Sequence, residues 1–273
     1  MRELLFVGPC SWAELGVSPA DWPDCRVVEK TREADAMRYL ASKAVDVVIT
    51  SPQTSASRVM NIAQQAQRLQ PGVRVIVLAP TLSAADIVSA LKHQVYSCFT
   101  LPAPPDELRS IVKQALADDT WQSGIEVISA VPHWIALRVA SRRVNAERLT
   151  HFMNELAGDL SATDRYQLIT AFREVLLNAM EHGAGFDPDK VVEVHAVRTV
   201  RTLVYYFKDP GRGFNPHAPR MVASEDDPLS HLDERAASGK RAGGFGMLLT
   251  SKLVDEVYYN EPGNEVILVK HLD

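Results

Sequence analysis

Short apolar runs alternate with longer periodic segments along the first part of the chain. Leu4 to Val7, Val45 to Ile49 and Val73 to Leu78 are brief and rich in β-branched residues, which is the pattern of strands buried on both faces. Between and after them, Thr31 to Ser42, Ala56 to Leu69 and Ala84 to Lys92 follow a helical period. Tyr96 to Thr100 then predicts a strand, and Pro105 to Ala117 a helix. Strands alternating with helices predict a doubly wound parallel sheet over residues 1–117.

The pattern then breaks. Asp118 to Gly124 carries two acids and a glycine with no period and predicts a linker, 118–124. Beyond it, Ile125 to Val131 and Trp134 to Val139 predict strands, and Asn145 to Leu160 a helix. Ser161 and Thr163 are caps for a following helix whose first turn holds Asp164. Val191 to Val197 and Thr202 to Phe207 predict paired strands, and Met247 to Leu253 a helix. Glu256 to Asn260 and Val266 to Val269 predict closing strands around a Pro262-Gly263 turn. The second half, 125–273, is therefore expected to be an α/β sandwich, one mixed or antiparallel sheet covered by helices. From Asn215 to Ala242 the chain is polar and aperiodic, a length that suits a functional loop.

In the helix after Ser161, Phe172, Val175, Leu176 and Ala179 form an apolar stripe, while Glu174, Asn178 and His182 recur every fourth residue on another face. Gly183 follows, where a left-handed residue would end the helix. Two glycine-rich stretches lie downstream: Asp209-Pro210-Gly211-Arg212-Gly213 after a strand, and Gly243-Gly244-Phe245-Gly246 opening a helix. In this order the three resemble the N, G1 and G2 boxes of the Bergerat-fold ATPases, the ATP-binding fold of histidine kinases, gyrase and the anti-sigma-factor serine kinases. Asp227-Pro228-Leu229 and the run Met247-Leu248-Leu249 to Val257 resemble the last of these branches. A sensor histidine kinase would place a dimerising helical pair with a phosphoacceptor histidine ahead of the ATPase, and none fits between Gly124 and Ala146. His151 is accordingly read as a surface or packing residue.

The resemblance implies ATP and Mg²⁺ as cofactors. It makes Asn178 the metal ligand, since a hard cation takes one or two protein oxygens beside phosphates and waters. It makes Glu174 the catalytic base and Asp209 the acceptor for the adenine amino group. Gly211 and Gly213 would give the base close access to backbone, and Gly244 and Gly246 would present N–H groups to phosphates at a helix start. In the resembled family Asn215 to Ala242 is the ATP lid; His182 would touch ligand or that lid, or simply pack, and Lys240 and Arg241 would neutralise phosphate charge or be solvated. Where the family carries a threonine after the last turn glycine, this chain has Asn264.

Residues 1–117 resemble a response-regulator receiver domain stripped of its chemistry. Gly8-Pro9-Cys10-Ser11 stands where an acidic pair would hold Mg²⁺, Ser51 where the phosphoacceptor aspartate would be, Ala79 for the switch residue and Leu101 for the lysine before proline. No phosphorylation is expected there. Asp46 reads as a polar strand start. This half is expected to be an interaction or dimerisation platform, with a homodimer as one consequence.

Composition narrows the field further. In 273 residues the net charge is −5, which argues against nucleic acid as a partner. No apolar run is long enough for a membrane span, and the start is not a signal peptide, so a cytoplasmic protein is expected. Three separated cysteines suit reduced thiols. The implied activity is a Mg²⁺-ATP-dependent serine/threonine protein kinase whose substrate is an anti-sigma-factor antagonist, with a sigma factor as a further partner. The alternatives are an ATP-gated binding regulator without transfer and a plain ATP hydrolase.

Overall fold

The structure, a computed structural model, describes residues 1–9, 12–51, 55–213 and 246–272; the side chains of 246–248 are outside that description. It divides into two compact units, Met1–Ser123 with His151–Leu156, and Gly124–Thr150 with Ala157–Asp273.

The first unit is built on five strands, β1 (Arg2–Val7), β2 (Cys25–Lys30), β3 (Val47–Thr50), β4 (Arg74–Ala79) and β5 (Ser97–Thr100). They pair in parallel in the order β2-β1-β3-β4-β5, the doubly wound topology of receiver folds. Crossovers run through α1 (Glu33–Ser42), α2 (Ala56–Leu69) and α3 (Ala84–Lys92), and α4 (Pro105–Ala117) follows β5. Leu4, Phe6, Ile49, Ile76 and Leu78 form one core with Leu108, Ile111 and Val112 of α4. Alternate strand residues such as Leu5, Val48 and Val77 are buried on the opposite face.

β2 escapes the apolar pattern because it is an edge strand with Arg26 and Glu29 interleaved in its short sequence. In the crossover leading to it, the described residues form two 3₁₀ turns, Trp12–Leu15 and Pro19–Asp21. Trp12 and Trp22 fill the core there, Trp12 stacking at 4.5 Å on Phe6.

The expected linker is instead strapped to this unit. Arg74, buried in β4, donates from Nε and Nη2 to the carbonyl of Asp118 (3.1 and 2.7 Å) and from Nη2 to Asp119 (2.9 Å). Trp121 is buried beside Tyr96 and donates to the Gly72 carbonyl at 3.3 Å, and Gln122 donates to that of Pro71 at 2.6 Å. Charge composition alone reads as solvent-facing here, but two arginines and an indole supply the partners. Arg2 and Arg74 hold the Asp119 carboxyl below its ordinary range, with the Arg2 hydrogen bond the larger cause.

The second unit holds a six-stranded antiparallel sheet, β6 (Ile125–Val131), β7 (Trp134–Ala140), β8 (Val191–Arg198), β9 (Thr202–Lys208), β10 (Glu256–Tyr259) and β11 (Glu265–His271), in the order β10-β11-β9-β8-β7-β6. Its helices are α5 (Arg143–Leu156), whose last turns group with the first unit, α6 (Ala162–Asn178) and α7 (Gly246–Leu253). Ser161 caps α6 by accepting from Asp164 N at 3.1 Å, and Lys270 of β11 pairs with Asp164 at 3.0 Å. The stripe Phe172, Val175, Leu176 and Ala179 is buried, with the Phe172 ring 4.8 Å from Tyr205 and 5.0 Å from Phe207 on β9.

His151 is a packing residue. It is buried against Phe99, its Nε2 donates to the Cys98 carbonyl at 2.7 Å, and burial brings its pKa down to about 4. Between the ordinary value of 6.5 and about 4 the unfolded chain binds a proton that the folded chain does not. Stability is therefore full above that window and falls as pH drops through it. Denaturant titrations at pH 7 and pH 4.5 should show His151→Gln losing about 2 kcal/mol less than the wild type between the two conditions; equal losses would contradict the assignment.

Candidate functional site

The site of the second unit begins where α6 stops being an α-helix. After Asn178 the chain widens into a π turn, Ala179–Gly183, closed by Ala184 N donating to the Ala179 carbonyl at 3.0 Å. The Met180 carbonyl is satisfied twice, by Phe186 N at 2.8 Å and by the buried Ser141 hydroxyl at 3.1 Å. Such single wide turns recur at functional sites because they re-aim the side chains around them.

Gly183 is not the left-handed terminator that its position suggests. The left-handed residues are Gly185, at φ 70°, and Phe186, at φ 50°. Gly183 is required for closeness: a Cβ there would stand 2.2 Å from the Asp209 carboxyl carbon and from Oδ1. Gly211 is packed into the same junction, its added Cβ falling 2.7 Å from Asp209 Oδ1 and 2.8 Å from the Gly183 Cα. The helix end and the end of β9 thus meet without side chains between them, and Asp209 stands at the meeting point.

The Asp209 carboxylate is half-buried. Oδ1 accepts from Gly211 N at 2.7 Å, and among the described residues no group donates to Oδ2. Burial raises its pKa, against the Gly211 hydrogen bond, which lowers it. An acceptor that has lost part of its water and has one oxygen free is suited to an N–H donor from a ligand.

Glu174 and Asn178 lie one turn apart on the regular part of α6, both half-buried. The Asn178 side chain caps no backbone group of the turn. Glu174 has Arg173 Nη1 at 3.8 Å, and Arg173 itself grips Glu147 of α5 through Nε (3.2 Å) and Nη2 (2.6 Å). That grip, Glu147 first, raises the Arg173 pKa. His182 is exposed within the π turn. α6 packs against α7, so the helix that opens at Gly246 lies beside the helix bearing Asn178. Gly244, Lys240, Arg241 and the rest of 214–245 lie outside the described residues.

Gly213, at φ 78°, lies against the β10–β11 turn, where a Cβ would fall 1.8 Å from the Pro262 carbonyl oxygen. That turn carries Asn264, which stands where the resembled family has its threonine, and its organisation around Asn260 is what the motifs did not reveal. Only its Asn260 and Asn264, set four apart around Pro262-Gly263, hinted at more than a plain hairpin.

In the first unit the corresponding position for phosphotransfer is filled. Gly8, at φ 127°, stands so close to Ser51 that a Cβ on it would lie 2.1 Å from the Ser51 Cβ, and Ser51 is itself buried. Asp46 is engaged at the strand start by Arg2 Nη1 (2.7 Å) and Glu3 N (2.7 Å). Cys10 and Ser11 lie outside the described residues. Among the described residues no cluster of three metal-ligating side chains occurs, and no helix is long and apolar enough to cross a membrane.

This geometry defines a class by architecture: an α/β sandwich on a six-stranded antiparallel sheet, following a doubly wound unit of five parallel strands. Residues 139–270 match the family model of the histidine kinase-like ATPase domain. The chain thus carries a doubly wound, receiver-like domain followed by a domain that matches the histidine kinase-like ATPase model. The transcriptional regulatory protein GlrR of Escherichia coli (strain K12) is 28% identical over 138 residues, covering 48% of this chain and 31% of that protein. The chain spans about a third of the length of the curated relatives it matches. Similar solved structures include a CheY-like response regulator receiver domain protein from Methanospirillum hungatei JF-1 (14% identity, TM-score 0.39, 45% of this chain and 98% of that one). A response regulator from Thermotoga maritima is another (16% identity, TM-score 0.37, 43% and 100%).

The junction makes a testable demand on its glycines. Gly213→Ala combines a left-handed backbone with a clash against the Pro262 carbonyl and should cost about 3 kcal/mol or more. Gly185→Ala meets open space and should cost about 1 kcal/mol, the left-handed penalty alone. Denaturant midpoints of the two variants measure the difference, and equal losses would refute the close packing.

Proposed function

We propose that the chain is a Mg²⁺-ATP-dependent serine/threonine protein kinase of the anti-sigma-factor type, acting in the cytoplasm. Its N-terminal unit serves as an interaction platform incapable of accepting phosphate. The observation that carries the nucleotide half of this reading is the free Asp209 oxygen at a junction stripped of side chains, one helix end away from Asn178. Asp209 Oδ2 accepts the amino group of adenine, while Gly211 and Gly213 let the base approach the backbone. Asn178 Oδ1 would hold the metal, Gly244 and Gly246 at the start of α7 would receive phosphate oxygens, and His182 would touch ligand. Bound Mg²⁺ supplies charge neutralisation on the transferring phosphoryl group. Glu174 takes the proton of the attacking hydroxyl, and catalysis is otherwise positioning.

The substrate and partner assignments rest on the resemblance to anti-sigma-factor kinases: a serine or threonine on an anti-sigma-factor antagonist, and a sigma factor as a bound protein. A second reading, an ATP-gated binding protein without transfer, is favoured by the Arg173 cation 3.8 Å from Glu174, which occupies the carboxylate as an ion-pair partner. The two separate on one variant. Glu174→Gln should leave the ATP dissociation constant unchanged and lower phosphotransfer to a candidate antagonist about 100-fold or more. Transfer equal to wild type would refute the base assignment, and no transfer by either protein would favour the gated-binding reading. Asn178→Ala should lose the Mg²⁺-dependent part of ATP affinity in calorimetric titration; affinity that stays metal-dependent would displace Asn178 as the ligand.

A further inference from the structure

The β10–β11 turn is organised by one side chain. Asn260 Oδ1 accepts three backbone N–H groups, from Gly263 (2.9 Å), Asn264 (3.0 Å) and Glu265 (3.0 Å). Only the oxygen of an amide accepts, so the orientation of Asn260 is fixed and Nδ2 is a donor, to Asn264 Oδ1 at 2.9 Å. That fixes Asn264 in turn. Its own Nδ2 faces the carbonyls of Asp209 and Gly211, each at 3.5 Å, and its backbone carbonyl accepts from Asp209 N at 3.0 Å. With Gly213 laid against the Pro262 carbonyl, the whole segment 209–213 is strapped along the turn.

We propose that Asn260 is a positioning residue for nucleobase selection, acting through Asn264 on Asp209. The inference rests on the nucleotide-binding reading above. A carboxylate discriminates between bases by its placement: it accepts from the 6-amino group of adenine and repels the 6-oxo group of guanine. Asp209 has one oxygen tied to Gly211 N, so the aim of the other depends on the backbone of 209–211, which the asparagine pair holds. The start of α7 is a separate element, so phosphate binding does not depend on this strap.

The test is calorimetric titration of the full chain with ATP, ADP and GTP, each with Mg²⁺, alongside thermal melting. Asn260→Ala should weaken ATP about tenfold and bring the ATP:GTP affinity ratio down towards one, with the ATP:ADP ratio unchanged. Asn264→Ala leaves the three N–H bonds of the turn intact and removes the strut with the Asn260 Nδ2 bond to it, so it should lower the ATP:GTP ratio even if the first variant does not fold. Wild-type selectivity in the folded variants would overturn the inference and leave nucleotide binding standing. A parallel fall in ATP:GTP and ATP:ADP would also overturn it, marking a general loosening of the unit. A wild-type chain that binds none of the three nucleotides would remove the nucleotide reading and this inference together.

Discussion

The second unit depends on one close approach, the end of α6 against the end of β9, with no side chain between. Gly183 and Gly211 are each within clash distance of the Asp209 carboxyl if given a Cβ, so that carboxylate is pinned at a backbone junction. Packing holds the junction from behind: Phe172 on α6 sits between Tyr205 and Phe207, seating the helix on the strand that delivers Asp209. The Asn260–Asn264 pair holds it from the side. A half-buried carboxylate in so defined a position reads ligand chemistry by geometry, whereas an exposed one would move with its solvent shell.

The same device closes the first unit. Gly8 and Ser51 approach so closely that a Cβ on Gly8 would fall 2.1 Å from the Ser51 Cβ. The unit is a scaffold whose inner strands are buried on both faces and whose expected linker is held by Arg2 and Arg74 and by its own Trp121 and Gln122 on the Gly72 and Pro71 carbonyls. A fold of this topology can serve as surface and scaffold whatever its chemistry.

Most elements were legible because their burial is regular. α2, α3, α4 and β6 fall where the apolar period puts them, and the stripe of α6 is buried as its spacing implies. β2 was not legible, because an edge strand with alternate charged residues has no apolar run to find. The π turn was not legible either: its extra residue leaves composition unchanged, and a 3.6-residue count runs straight through Ala179–Gly183. Asp209 and its glycines drew attention in the sequence, and the structure brings them together at one junction. Why Gly183 is needed did not show, since a glycine kept for closeness and a glycine kept for φ look the same in a sequence. Asn260 was marked by no motif, only by its spacing to Asn264, because its three backbone contacts exist only once the β10–β11 turn is closed.

The measurement that bears most directly on the central claim is a crystal structure of the chain with Mg²⁺ and a non-hydrolysable ATP analogue. The account predicts the adenine amino group within hydrogen-bond reach of Asp209 Oδ2, with Gly211 N still on Oδ1. An analogue bound elsewhere, or at the junction with its base turned away from Asp209, would contradict it.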